Sequence, residues 1–167
     1  MSNSVAQELF NTLQTKQRAN DFLRLFDQIE GLSHHVGVFK IEDVLSLVYG
    51  DSKPDWVINF LNNMPDLMFG SISTADINLL KEIRDMVERA TVVKIEINFS
   101  PSLEFIDNVI KKLRGKYDGM NFIVDVITNE ILESGAMFYI DGNVIDLTVR
   151  NKVTSYLTTQ DVINRYL

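Results

Sequence analysis

The chain contains no cysteine, three prolines, two histidines and one tryptophan. The missing cysteine excludes disulfides, thiolate metal sites, iron–sulfur clusters and cysteine nucleophiles together, and it fits a reducing compartment. The two histidines, His34 and His35, are adjacent in a stretch read as a loop, Ser33 to Gly37. Neighbours on an extended chain point opposite ways, so they make a poor metal site. No apolar run approaches the ~20 residues that span a bilayer. The start, Met1-Ser2-Asn3-Ser4-Val5, has neither the basic residues nor the apolar core of a signal peptide. The expectation is a soluble, cytosolic chain that reaches membranes only through a partner.

Positive charge is also short, with 16 Lys and Arg against 23 Asp and Glu and a net charge of -7. That balance argues against nonspecific binding to nucleic acid or anionic lipid. The densest basic cluster, Lys111, Lys112, Arg114 and Lys116, sits at the end of an expected helix, where cations favour the dipole. It lacks the interleaved aromatics of an RNA-binding sheet. Sequence motifs for catalysis are missing too: H-E-x-x-H, G-x-S-x-G, a phosphate-cradling glycine loop and G-x-G-x-x-G are all absent. Paired carboxylates are possible in the second half, where Asp107, Asp125, Asp141 and Asp146 fall. Acid–base work would need one of them in an apolar pocket, and only Asp125, inside an apolar strand, is oddly placed.

What the chain does have is an apolar content of 46% over 167 residues, enough for one domain or two small ones. The first ninety or so residues show helical periodicity. Val5, Leu9 and Leu13 form one stripe, and Phe22, Leu25, Phe26 and Ile29 form a second that Gly31 is expected to end. Ile41, Val44, Leu45 and Val48 mark a third helix stopped by Gly50. A fourth, with Pro54 and Asp55 in its first turn, carries Trp56, Val57, Phe60, Leu61 and Met64. Ser73-Thr74-Ala75-Asp76 reads as a capping box opening a long fifth helix whose buried side is expected at Leu79, Ile83, Met86, Val87 and Ala90. Its other face, Lys81 to Arg89, reads as solvated.

At Thr91 the period changes from 3.6 to 2: Val93, Ile95, Ile97 and Phe99 alternate with Lys94, Glu96 and Asn98. Ser100-Pro101 is expected to cap a helix carrying Leu103, Ile106, Ile110 and Leu113 and ended by Gly115. Met120 to Ile127 reads as a central strand. Ala136 to Ile140 and Val144 to Leu147 flank Asp141-Gly142-Asn143, a hairpin signal. The tail from Val149 reads as helix, with a capping-box-like restart over Thr158 to Asp161. The fold class expected is α+β: an N-terminal helical bundle, 1–91, followed by a small C-terminal α/β domain with a β-hairpin, 92–167.

The segment 128–153 carries a resemblance: Gly135, a strand, the turn with Gly142, then Val144-Ile145-Asp146, Thr148 and Val149-Arg150. It resembles the C-terminal signature of the delta subunit of F-type ATP synthases, the family of the oligomycin-sensitivity-conferring protein. In that family an apolar strand leads to Val-Asp, Leu-Ile-Gly-Gly, a strand, a tight turn, Val-Ile-Asp, a Ser and Val-Arg. Departures are Asn129 for the family's Asp, Glu133 for the Ile and Ser134 for the first Gly. The Tyr-Ala of the family's first helix has its nearest match in Val5-Ala6. In the first half the match is one of architecture.

The resemblance implies a non-catalytic stator linker on the cytoplasmic face of an energy-transducing membrane, without cofactor or metal. Its N-terminal bundle would receive N-terminal helices of the alpha subunits, and its C-terminal domain the C-terminal helices of the b subunits. The signature residues would be structural: Gly135 for a sharp turn, Asp146 and Thr148 to cap the last helix, and Arg150 to pair with Asp146. The partner-binding groove is expected beside the first and fifth helices, at Leu9, Phe10, Leu13, Ile77, Leu80 and Arg84. The competing readings are a free-standing adaptor of related fold and a small enzyme of unknown type.

Overall fold

The computed structural model describes residues 4–34, 39–64, 71–132 and 134–151. The chain divides into two compact units, Met1–Ala90 and Thr91–Leu167, and its class is α+β.

In the first unit, three helices begin where a hydroxyl, of Ser4, Thr15 or Ser73, satisfies an amide that the helix itself leaves unpaired. Ser4 accepts from the Gln7 N–H to open α1 (Val5–Phe10), which tightens into a 3-10 turn at Asn11–Leu13. Thr15 accepts from the Arg18 N–H to open α2 (Lys16–Ser33). Gly31 does not end α2; the helix runs two residues further, and the Ser33 hydroxyl donates back to the Glu30 carbonyl at 2.7 Å. α3 (Ile41–Tyr49) does end at Gly50, whose φ of 59° suits a residue without Cβ. Pro54 stands just outside α4 (Asp55–Asn62), as its cap rather than in its first turn.

α5 (Thr74–Glu88) opens with the expected capping box: Ser73 accepts from the Asp76 N–H, and the Asp76 carboxylate accepts from the Ser73 N–H at 2.9 Å. Its buried stripe is Asp76, Leu80, Ile83 and Val87, whereas Leu79, Met86 and Ala90 lie outside it. α1 packs on α5, and α2 packs on α3 and α5. The core is aromatic-rich: Phe10, Phe22, Phe26 and Phe60 are fully buried, with Phe22 and Phe60 ring centres 5.5 Å apart. Burial of each such ring stabilises the unit by ~1.5–3 kcal/mol.

Among its described residues, the second unit packs a helix on one face of a four-stranded mixed sheet. β1 (Thr91–Ile97), α6 (Leu103–Lys116) and β2 (Phe122–Thr128) make a parallel crossover; β3 (Ala136–Ile140) and β4 (Asn143–Asp146) add an antiparallel hairpin. The order is β2-β1-β3-β4, so β1 is central and β2, expected there, lies at an edge of the described strands. The period-2 pattern of β1 sets the layers. Val93, Ile95 and Ile97 face α6 together with Phe122, Val124, Ile106 and Ile110 in one buried cluster. Phe99 falls outside the strand, 47% exposed, with its ring edge-on to Phe105. α6 is capped by Ser102 rather than by Ser100-Pro101, and it continues past Gly115 to Lys116. The restart anticipated over Thr158 to Asp161 lies outside the described residues.

Candidate functional site

The hairpin closes with a two-residue turn. Asp141 and Gly142 both have positive φ, 47° and 77°, and Ile140 pairs with Asn143. That is the backbone of a type I′ turn, which Asp-Gly favours. Pairing continues beyond β4, because the Leu147 N–H donates to the Ala136 carbonyl at 2.9 Å and the Val149 N–H to the Ser134 carbonyl at 3.2 Å.

Gly135 sits inside this extension with φ 100°, and a Cβ there would lie 2.5 Å from the Leu147 carbonyl oxygen and 2.6 Å from Thr148 Cα. Both the backbone angle and the close approach of a second backbone segment exclude a side chain. Opposite it the chain leaves the sheet and turns helical at 149–151. Asp146 Oδ1 accepts from the Thr148 N–H at 2.8 Å, and Thr148 Oγ1 accepts from the Asn151 N–H at 3.2 Å. The Asn151 side-chain amide donates to the Asp146 carbonyl. Thr148 is therefore the helix cap and Asp146 the residue that orients it. Hydrogen bonds from the Thr148 hydroxyl and then its N–H hold the Asp146 carboxyl below its usual range.

The sheet face turned away from α6 carries a polar network that no sequence motif announces. Lys94 Nζ pairs with Glu96 Oε1 at 2.7 Å and lies 4.8 Å from the centre of the Tyr139 ring. Asn129 Nδ2 donates to Glu96 Oε2 at 3.2 Å, and the Asn129 N–H donates to the Ile97 carbonyl at 2.7 Å. Bonds from Lys94 first and Asn129 second lower the Glu96 pKa, and the bond to Glu96 raises that of Lys94. Asp125 stands opposite Lys94 in the β1–β2 register and adds to the raised Lys94 value. The oddly placed strand carboxylate is thus a neighbour of a cation at a sheet edge, half-buried rather than in an apolar pocket. The alternation along β1 puts Lys94 and Glu96 on one face; their partners Asn129 and Tyr139 come from distant parts of the chain, whose register no local pattern supplies.

A cleft of about 530 Å³ opens at the end of this face, lined by Asn129, Ile131, Leu132, Ser134, Met137, Asp146, Thr148 and Arg150. Exposed apolar residues lie beside the cleft and along β4: Ile131 is 90% exposed, and Val144, Ile145, Leu147 and Val149 are each exposed by two-fifths or more, with Ile145, opposite Phe138, on the other face of the sheet. Among the described residues no cluster of His, Cys, Asp or Glu has the grouping of a metal site. Asn129 Oδ1 also accepts from the Ile131 N–H, so the polar atoms here hold the turn and the helix start.

In the first unit the six residues expected to line a groove have different surroundings. Leu9, Phe10, Leu13 and Leu80 are at most 1% exposed and belong to the core. Ile77 is half-buried. Arg84 lies over the Phe26 ring at 5.2 Å and pairs with Glu30 on α2 at 3.4 Å and with Glu88 at 2.8 Å. Lys81 joins Glu30 from the next turn at 3.4 Å, so the α5 charge run ties two helices together besides meeting solvent. His34 caps the C-terminus of α2; His35 lies outside the described residues.

Compared with known proteins, the chain matches no family model and no curated sequence.

Proposed function

We propose that this chain is a stator linker of the F-type ATP synthase delta class, holding the catalytic head to the peripheral stalk without chemistry of its own. The observation that carries the reading is the joint at Gly135. Four residues of the family-like segment, Gly135, Gly142, Asp146 and Thr148, act together to close a hairpin against the helical turn that starts at 149. A residue pattern that resembles a family and also meets one local geometric need is better support than the pattern alone.

In this reading, the first unit grips amphipathic N-terminal helices of the alpha subunits, and the second grips the C-terminal helices of the b subunits. The exposed apolar residues around β4 and Ile131 support a docking role for the second unit. The acidic excess suits partner termini rich in Lys and Arg. The protein works at the cytoplasmic face of the coupling membrane, binds no nucleotide and needs no cofactor.

The deciding experiment is purification of the chain from its native source under mild conditions, with identification of what accompanies it. Stoichiometric alpha and b subunits are the expected companions. A pure chain that elutes alone, or that releases phosphate from ATP and magnesium through repeated repurification, overturns the proposal.

A further inference from the structure

We draw no further inference here: the strongest candidate, the cleft of about 530 Å³ between the loop at Asn129–Leu132 and the helix start at Thr148–Arg150, belongs to the site already described, its Asn129, Asp146 and Thr148 are engaged in holding that turn, and nothing in the structure shows what covers the exposed Ile131 beside it.

Discussion

Gly135 and Gly142 both have positive φ, yet they differ in what surrounds them. At Gly142 a Cβ would meet open space, whereas at Gly135 it would strike backbone atoms that have no side chain to swing aside. Gly142→Ala should therefore cost only the left-handed penalty, about 1–2 kcal/mol. Gly135→Ala should cost about 3 kcal/mol or more, because the penalty is joined by a clash that moves the hairpin or the helix start. Urea unfolding followed by far-UV circular dichroism ranks the two; equal midpoints would remove the joint as a special place. Glu96 gives a pH test. Its pKa is lowered in the fold, so its contribution is complete above the unfolded value of ~4.3 and is lost as pH falls through the folded value. Lys94, with a raised pKa, contributes below ~10.4 and loses that contribution as pH rises through its folded value. Glu96→Gln should flatten the acid limb of midpoint against pH. Asn129→Asp, the residue of the signature that this segment resembles, places a second carboxylate beside Glu96. It should destabilise more at pH 7 than at pH 4, and a loss independent of pH would show that the Asn129–Glu96 contact does not matter.

Single elements show which local signals suffice. The capping box at Ser73 and Asp76, the stop at Gly50 and the Asp-Gly hairpin are all legible, because each is satisfied within four residues. Gly31 and Gly115 look like stops in the sequence but lie inside helices, since a glycine there ends a helix only if the chain beyond has somewhere else to go. The apolar run of β2 reads as a central strand. Its Phe122, Ile123 and Val124 are indeed buried, but burial of side chains does not say how many neighbours the backbone has. On α5 the displaced stripe matters for experiment. Leu80→Ala empties a core site and should cost about 2–5 kcal/mol, visible as a lower urea midpoint in the fluorescence of Trp56, the only tryptophan, which lies in the same unit. Ser73→Ala should cost about 1 kcal/mol through the lost cap. Ile77→Ala, at a half-buried position, should cost less than Leu80→Ala; the reverse order would contradict the burial pattern of α5.

For the whole molecule, the change of hydrophobic period at Thr91 marks the place where the two units divide, because a helical stripe and a pleated strand bury their side chains by different spacings. The polar face of the sheet is not legible in the sequence, since Lys94, Asn129 and Tyr139 meet only through strand pairing. Under the stator proposal this division has a functional counterpart: each unit grips its own partner. A lesion confined to the Gly135 joint should then weaken one grip and spare the other. The test uses the full chain carrying Gly142→Ala or Gly135→Ala, titrated by calorimetry with a peptide from the C-terminal helix of the b stalk and, separately, with one from the N-terminal helix of the alpha chain. The milder Gly142→Ala keeps the comparison meaningful if Gly135→Ala unfolds the second unit altogether. Affinity for the stalk peptide should fall by about tenfold or more in the Gly135 variant, a loss of ~1.4 kcal/mol, and by less in the Gly142 variant. Affinity for the head peptide should stay within about twofold, a change well under ~1 kcal/mol. Parallel losses against both ligands would mean that the units bind as one body, and the assignment of one partner to each would be wrong.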